Sequence, residues 1–335
     1  MRKKKIKAIT GVLITIALIC CFGAGIHFFE KMTNAKTDGF LENENDYIYL
    51  SDHNYEITHD IDSYLLIGSD NSGKSGKEYR GNLADFLLLA VFDKTDKTYG
   101  FLQIDRDTIT RVEMPEGGEE SEEDTFEQIC TASWYGENPE EGCENTVDAV
   151  SELLGYMPID GYYSINMKDI GKLNHAVGGV TVTLEDDFTN KDPEMEEGKT
   201  MKLSDKQAEY FVRSRMDIGD GENTSRMRRQ REYMDAYLDS VKSKISKDND
   251  FVNDLYAEFK ENAVTDIPQS RISGIANRMN KDKYLGTFEL SGEYKKGDTL
   301  GDGVKHTEFY PTTSSIIDTL CSLCSIEDRG VDKEQ

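Results

Sequence analysis

Positive charge is scarce in this chain. Its 335 residues include 39 lysines and arginines against 64 aspartates and glutamates, which gives a formal net charge of −25. Five of the 39 basic residues lie within the first seven positions, so the rest of the chain carries 34 basic residues against 64 acidic ones. Broad nucleic-acid binding needs a basic surface that displaces counterions from phosphate, and this composition excludes it. An anionic ligand of another kind has to meet a local positive site.

Charge of either sign is absent between Ala8 and Phe29. An apolar run of this length can cross a bilayer as a helix, and the basic residues before it favour a cytoplasmic N-terminus. We therefore predict a cytoplasmic tail at 1–7, a single transmembrane helix at 8–29 and a polar stalk at 30–60, with the C-terminal domain outside the cell membrane. A cleaved signal peptide is the alternative, but the run is longer than a typical signal core.

The chain also lacks the second CxxC motif or the histidine cluster that would accompany a zinc site at Cys321 and Cys324. Two further cysteines, Cys130 and Cys143, lie beyond the predicted span. An even number of cysteines in a domain outside the cytoplasm favours disulfides. We predict Cys130 paired with Cys143 and Cys321 paired with Cys324, with free thiols as the alternative for the second pair.

Apolar runs bounded by turn residues alternate with segments of helical spacing from residue 61 onward. Runs at 64–67, 84–92 and 99–104 suit buried strands, and the last two are predicted to form an antiparallel pair. This alternation predicts an α/β domain over 61–327, followed by a disordered tail at 328–335.

Two clusters of polar residues follow predicted strands. Asp70 comes directly after the first strand and Asp85 stands at the head of the next, and paired carboxylates of this kind can hold Mg²⁺. A simple turn former is the alternative for Asp70. After the third strand, Arg106 offers a fork of donors suited to phosphate, and Asp107 can orient it or act as a base. Ordinary ion pairing in a loop is the alternative there.

Arginines form a third cluster. Six of them lie within nineteen residues, at the end of one predicted helix and the start of the next: Arg213, Arg215, Arg226, Arg228, Arg229 and Arg231. Because arginines at a helix N-terminus add to the positive end of the dipole, they favour an anion there, and we predict a phosphate or pyrophosphate site. The alternative is that the neighbouring acidic residues neutralise some of them: Asp217, Asp220 and Glu222.

The order of these motifs resembles the LytR-CpsA-Psr family of cell-wall glycopolymer ligases. The resemblance covers about residues 61–245 and rests on the series as a whole. The series comprises the predicted membrane anchor, Gly68-Ser69-Asp70, Asp85, Arg106-Asp107-Thr108, Val180-Thr181-Val182, Arg213-x-Arg215 and Arg226-x-x-Arg229-Gln230.

The resemblance implies a three-layer α/β/α sandwich with a central mixed sheet and an apolar tunnel between sheet and helices. It implies that a peptidoglycan hydroxyl attacks the sugar-linked phosphorus of a polyprenyl-pyrophosphate-linked glycopolymer, of the teichoic acid or capsular polysaccharide class, and that polyprenyl phosphate leaves. The implied partners are this lipid-linked polymer, the peptidoglycan acceptor and membrane lipid.

Roles also follow from the resemblance, position by position. It implies Mg²⁺ at Asp70 and Asp85, and catalytic roles around Arg106 and Asp107. The implied pyrophosphate-binding residues are Arg106, Arg213, Arg215 and Arg226, with Arg229 and Gln230 at further motif positions.

The sequence departs from the family pattern at three places. The common Arg-Ser-Asp-Thr is here Leu83-Ala84-Asp85-Phe86, and Arg80 is the candidate to replace the missing arginine. Asn223 stands where many members have Asp, so we predict that Asp220 takes over that catalytic role. Gln128-Ile129-Cys130 replaces the usual Lys-Ile-Asn.

Two other functions fit the same residues. A hydrolase that cleaves the pyrophosphate lipid with water needs the same metal and arginines. A non-catalytic envelope protein that binds the polymer or regulates its synthesis fits the departures at Leu83 and Asn223.

Overall fold

The computed structural model describes residues 47–69, 83–112, 125–245 and 262–331, together with 247, 248, 251, 255 and 259. The strands are β1 (Tyr47–Leu50), β2 (His53–Ile57), β3 (Ile61–Ser69), β4 (Ala84–Asp93), β5 (Thr98–Ile104), β6 (Ile109–Val112), β7 (Thr125–Gln128), β8 (Tyr162–Asn166), β9 (Thr181–Thr183), β10 (Thr200–Lys202), β11 (Val264–Thr265), β12 (Lys283–Glu289), β13 (Gly292–Gly297), β14 (His306–Pro311) and β15 (Ile326–Val331). The α-helices are α1 (Pro139–Leu153), α2 (Ile170–Val177), α3 (Asp205–Arg213), α4 (Asn223–Ile245), α5 (Gln269–Lys281) and α6 (Thr313–Leu323), and two 3₁₀ helices span Ile129–Tyr135 and Met167–Asp169.

Six strands form the central sheet, in the order β11-β8-β3-β4-β5-β12. The pairs β3–β4 and β4–β5 are antiparallel, whereas β3–β8 and β5–β12 are parallel. The predicted α/β fold with a central mixed sheet is therefore confirmed, as is the predicted antiparallel pair of β4 and β5.

Both faces of this sheet are buried. Along β4, Leu88 and Phe92 enter the apolar core on one face and Leu87 and Leu89 enter the core on the other, because side chains alternate along a strand. Helices α2, α3, α4 and α5 cover the first face, while α1 and α6 cover the second. The near-continuous apolar run of β4 follows from this burial on both sides.

The predicted domain limits of 61 and 327 are too narrow. Strands β1 and β2 lie within the predicted stalk, and β15, which pairs with β2, extends through 331. In β1 Ile48 and Leu50 are buried while Tyr47 and Tyr49 are exposed, so only one face of this strand is covered. The predicted stalk is therefore wrong from residue 47, and the predicted disordered tail is wrong for 328–331.

A hairpin that the sequence did not predict, β13–β14, lies against the end of β5. Phe309 on β14 donates its backbone N–H to the carbonyl oxygen of Asp107 at 2.8 Å, and Thr108 forms an isolated bridge with Phe309. This contact brings Tyr294 of β13 next to the residues that follow β5.

None of the described helices is long and apolar enough to cross a membrane. The predicted span at 8–29 lies outside the described residues, as do Asp70 and Arg80.

Candidate active site

The candidate site lies where the start of β4, the end of β5 and the start of α4 meet. Because β4 and β5 are antiparallel, with Leu87 opposite Ile104, the residues before Leu87 and after Ile104 share one edge of the sheet. Asp85 from β4 and Arg106 after β5 therefore face each other, and Arg226 reaches them from the first turn of α4.

Asp85 accepts contacts from two guanidinium groups. Nη1 of Arg106 contacts its Oδ1, and Nη1 of Arg226 lies 3.5 Å from the same oxygen. Nη2 of Arg226 also lies 3.5 Å from the backbone carbonyl of Asp85. On the other side, Nε of Arg106 lies 3.3 Å from Oδ1 of Asp107. These contacts gather two of the predicted phosphate ligands around one predicted metal ligand.

A second chain of hydrogen bonds runs from Arg226 to β13. Nη2 of Arg226 donates to Oδ1 of Asn223 at 2.7 Å, and Nδ2 of Asn223 donates to Oδ1 of Asp105 at 2.6 Å. The hydroxyl of Tyr294 donates to Oδ2 of Asp105, also at 2.6 Å. Asp105 further accepts the backbone N–H of Asp107 at 2.9 Å, so both of its carboxylate oxygens are hydrogen-bonded.

Three buried polar atoms in this cluster have no hydrogen-bond partner among the described residues: Nε of Arg106, Nε of Arg226 and Oδ2 of Asp107. Buried polar atoms are nearly always paired, so unpaired ones at one place favour a missing ligand. Two of the three are cationic donors, which is the chemistry that binds phosphate oxygens.

The electrostatics favour the same ligand. Burial lowers the pKa of Arg226, and the positive charges of Arg106 and Arg215 lower it further. The negative charge of Asp85 acts in the opposite direction and raises this pKa. Burial also raises the pKa of Asp107, and the nearby charge of Asp105 adds to that rise against the effect of the three arginines. Crowded guanidinium groups repel each other until an anion enters.

Arg215 belongs to this cluster and Arg213 lies at its border. Arg215 acts on the charges of both Asp107 and Arg226, and its Nε lies 3.4 Å from the carbonyl oxygen of Gly221. Arg213, in the last turn of α3, donates to Glu209 at 3.0 Å and is partly exposed.

Arg229 has a different environment from the one predicted. Its side chain is 2% exposed, and its donors bind the carbonyl oxygens of Phe211 and Ser214 and the carboxylate of Asp186. It also lies over the ring of Phe188, 5.4 Å from the centroid. The guanidinium group therefore joins α4 to the chain after α3 and supports the segment that carries Arg213 and Arg215.

Gln230 is likewise buried. Its amide oxygen accepts from Gln103 at 3.1 Å, and its nitrogen lies 3.4 Å from the carbonyl oxygen of Val212. Gln230 also lines an apolar cavity between the sheet and the helices.

Asp220 acts as a local cap before α4. Its Oδ1 accepts the backbone N–H of Glu222 and its Oδ2 accepts the hydroxyl of Ser225, each at 2.9 Å. These bonds lower the pKa of Asp220, first through the Glu222 N–H. A carboxylate held in this way is a weaker base than an ordinary aspartate.

The predicted disulfides are wrong, because all four cysteines beyond the predicted span are free. Cys130 lies in the 3₁₀ helix beside Arg106, and burial raises its thiol pKa to about 11. Cys143 lies in α1, where it contacts Ser164 of β8. The two thiols therefore lie on two different helices and are not bonded to each other. Cys321 is exposed whereas Cys324, at the end of α6, is buried.

An apolar cavity of about 40 Å³ lies between the sheet and the helices beside the arginine cluster. The lining residues from the sheet are Gly68, Phe86 and Ile165, and the helical ones include Leu173, Val212, Tyr233 and Met234. A Cβ at Gly68 would lie 2.5 Å from Sδ of Met167, so this position needs glycine. Phe86, which lines this cavity, follows Asp85 of the arginine cluster directly in β4.

A polar cavity of about 530 Å³ lies on the opposite side of α4, and its lining includes Ser225, Arg228, Arg231, Ser291, Tyr294 and Phe309. We call it the polar cavity below. Tyr294 also lines a neighbouring cavity of about 350 Å³.

The metal prediction rests on Asp85 alone among the described residues, since Asp70 lies outside them. Both arginine contacts with Asp85 fall on Oδ1, so within the described part of the chain its Oδ2 remains available to a metal ion. The one group of three potential metal ligands found in the described part of the chain is His59, Asp93 and Asp96, at the far end of β4.

Sequence reasoning placed Asp105 in the cluster after the third strand but gave it no role, and it missed Asn223 as a link and Tyr294 altogether. Asp105 stands next to Arg106 in the predicted motif, which was a usable signal. Tyr294 gave none, because only the hairpin β13–β14 brings it within 2.6 Å of Asp105.

Comparison with known proteins gives consistent results. The model of the LytR_cpsA_psr family matches residues 27–315. The biofilm regulatory protein A of Streptococcus mutans serotype c is 26% identical, over 89% of this chain and 72% of its own. The polyisoprenyl-teichoic acid–peptidoglycan teichoic acid transferase TagU of Halalkalibacterium halodurans is 28% identical, over 84% of this chain and 93% of its own. The crystal structure of Bacillus subtilis TagV, at 22% identity, has a TM-score of 0.58 and covers 79% of this chain and 96% of that one, a likeness of fold.

Proposed function

Because the chain belongs to the LytR-CpsA-Psr family, we propose that it transfers an anionic glycopolymer from a polyprenyl-pyrophosphate carrier to peptidoglycan. The observation that carries the proposal is the cluster of Arg106, Arg226 and Arg215 in an acidic domain, with two buried guanidinium Nε atoms that have no hydrogen-bond partner among the described residues. The name of the TagU relative supports a teichoic acid as the polymer, with a capsular polysaccharide as the other class.

Phosphoryl transfer depends mostly on positioning and on stabilising charge, and the arginines supply both. Arg106 and Arg226 bind the pyrophosphate oxygens through two sets of donors. These are the Nη1 groups that contact Asp85 in the structure and the buried Nε groups that lack a hydrogen-bond partner among the described residues. Arg215 adds positive charge beside them. Such groups stabilise the charge that develops on the leaving oxygen when polyprenyl phosphate departs.

Mg²⁺ fits this site as a proposed cofactor. Oδ2 of Asp85 is available to the ion, and Asp70 is the second proposed ligand. A bound Mg²⁺ would neutralise phosphate charge and polarise the phosphorus centre. Asp85 meanwhile orients Arg106 and Arg226 through its Oδ1.

The apolar cavity supports a lipid-linked donor. It lies beside the arginine cluster and between the sheet and helices, where the lipid tail is expected, and at about 40 Å³ it has to widen to admit an isoprenoid chain. A membrane anchor at 8–29 would hold the domain at the layer where the pyrophosphate of such a lipid is presented.

Acceptor dependence tests the proposal. The full-length protein in detergent with Mg²⁺ is incubated with a polyprenyl-pyrophosphate glycan, with and without peptidoglycan, and released polyprenyl phosphate is measured. Release that requires peptidoglycan supports transfer. Equal release without peptidoglycan would identify a hydrolase, and binding without any release would identify a non-catalytic protein.

A regulatory protein is the second candidate, and the S. mutans relative named a biofilm regulatory protein is the observation that favours it. Its distinguishing result is tight binding of the lipid-linked glycan with no turnover in the same assay.

A further inference from the structure

We propose that the polar cavity binds the acceptor sugar and that Tyr294, with Asp105 behind it, takes the proton from the attacking hydroxyl. This inference rests on the proposed transferase function and adds to it an acceptor site and a catalytic residue.

The position of the polar cavity is the first argument. It borders the N-terminal turn of α4, where Ser225 in its wall precedes Arg226, and it lies on the opposite side of that helix from the apolar cavity. A transferase needs donor and acceptor on opposite sides of the reacting phosphorus, because the attacking and leaving oxygens are roughly in line.

The chemistry of the cavity is the second argument. Its lining combines hydroxyl groups from Ser225 and Ser291, the guanidinium groups of Arg228 and Arg231, and the rings of Tyr294 and Phe309. The two rings lie 4.6 Å apart between centroids, and Tyr294 is 44% exposed. Exposed aromatic surface with polar groups around it suits a sugar, which offers both apolar C–H faces and hydroxyls.

The hydrogen bonds of Tyr294 are the third argument. Its hydroxyl donates to Oδ2 of Asp105 at 2.6 Å, and a phenol oxygen that donates one hydrogen bond can still accept another. Asp105 is 4% exposed and is linked through Asn223 to Arg226 by bonds of 2.6 and 2.7 Å. Three hydrogen bonds therefore connect the cavity wall to a pyrophosphate-binding arginine.

The proposed step transfers the glycopolymer phosphate directly from the lipid carrier to the acceptor oxygen. The acceptor oxygen forms a bond to the sugar-linked phosphorus, and the bond from that phosphorus to the bridging oxygen breaks, releasing polyprenyl phosphate. The proton of the acceptor hydroxyl passes to Oη of Tyr294 while the phenolic proton passes to Oδ2 of Asp105. The charged or titratable groups around this pair are Asp107, Arg226 beyond Asn223, and Glu289 beside Tyr294.

Asp105 takes the place predicted for Asp220 in this scheme. Asp220 lines the polar cavity too, but both of its oxygens cap the turn before α4. Asp105 is the carboxylate that touches Asn223, the residue standing where many family members have Asp.

Tyr294→Phe tests the proposal, because it keeps the ring against Phe309 and removes only Oη. Transfer kcat should fall about 100-fold, as expected for a lost proton-transfer group, while the Kd of the pyrophosphate lipid changes less than twofold. The matched control is Tyr310→Phe, whose hydroxyl bonds Glu308 on the same hairpin and does not line the cavity. Its kcat should equal that of the wild type.

The double variant Asp105→Asn with Asn223→Asp separates the base from mere positioning. It keeps one carboxylate and one amide beside Arg226 but leaves Tyr294 facing an amide. Lipid binding should persist while kcat falls as far as in Tyr294→Phe. The assignment of Tyr294 as the proton acceptor would be overturned if Tyr294→Phe kept the wild-type kcat. It would also be overturned if Tyr294→Phe lost lipid binding. A wild-type protein that transfers nothing would instead refute the proposed function.

Discussion

Asn223 lies between a carboxylate and a guanidinium, with its Nδ2 2.6 Å from Asp105 and its Oδ1 2.7 Å from Arg226. The orientation of the amide is fixed, because Oδ1 of Asp105 accepts the hydrogen bond from Asn223 and Arg226 can only donate. This contact therefore contains a single carboxylate, that of Asp105, which follows β5.

Asn223→Asp should make stability depend on pH. Two carboxylates at this distance share a proton, so the folded pKa of the pair rises above the unfolded value. The folded state then binds more protons than the unfolded state, and stability falls as pH rises through the acidic range and above. Urea unfolding at pH 5 and pH 8 checks this. Asn223→Ala is the control, and equal pH dependence in both variants would contradict the prediction.

Arg106→Ala and Arg226→Ala should each weaken binding of a polyprenyl-pyrophosphate lipid about 10- to 100-fold, the loss of a charge-assisted contact worth about 1.5–3 kcal/mol. Titration in detergent micelles measures the affinity. Arg329→Ala is the control and should bind the lipid normally. It removes an exposed arginine that is paired with Glu56 in the separate sheet of β1, β2 and β15. Unchanged affinity in both site variants would remove the anion-site assignment.

Asp85→Asn should abolish the Mg²⁺ dependence of transfer while lipid binding without Mg²⁺ persists or strengthens. The reason is that Arg106 and Arg226 lose the carboxylate that competes with phosphate for their donors. An Mg²⁺ titration of transfer and of binding tests both parts. Asp328→Asn, which removes an exposed carboxylate paired with His53 in the sheet of β1, β2 and β15, is the control and should respond to Mg²⁺ normally. A normal Mg²⁺ response in Asp85→Asn would exclude this residue as a ligand.

Arg229→Met should destabilise the fold by about 3–5 kcal/mol, because it leaves Asp186 and two carbonyl oxygens without a buried cation. Arg228→Met is a matched control on the same helix, since Arg228 also contacts Asp186 but is 44% exposed. Its cost should stay below about 1 kcal/mol. Urea unfolding compares the two. Similar costs would show that Arg229 has no special structural role.

Leu173→Phe should fill the apolar cavity and weaken binding of long isoprenoid donors relative to short-chain analogues, since the added ring occupies space that the chain needs. Affinities for donors with long and short chains provide the measurement. A control on the opposite core, Leu320→Phe in α6, should lower stability without changing the chain-length preference. If Leu173→Phe lowered the affinity for long-chain and short-chain donors equally, the cavity would not be the binding site of the lipid chain.

The central strands and helices were predictable because their patterns are strong. The runs at 84–92 and 99–104 are apolar over most of their length, since both faces of β4 and β5 are buried, and α4 has apolar residues at helical spacing. Strands β1, β2 and β15 form a separate small sheet and escaped prediction because they bury few residues: Ile48 and Leu50 in β1 and Ile57 in β2.

The site was predictable only where its residues lie in motifs. Asp85, Arg106 and Arg226 meet because strand order and helix start bring three motifs together. Arg229 and Asp220 have motif spacing too, but burial and capping, which spacing does not reveal, give them structural contacts. Tyr294 depends on a hairpin that packs against the end of β5, a tertiary contact without a local signal.

The fate of the sugar-linked phosphorus tests the central claim most directly. With that phosphorus labelled in a polyprenyl-pyrophosphate glycan, the full-length protein should move the label into peptidoglycan as a phosphodiester and release unlabelled polyprenyl phosphate. Label recovered as a soluble glycan phosphate, with none in peptidoglycan, would contradict the account.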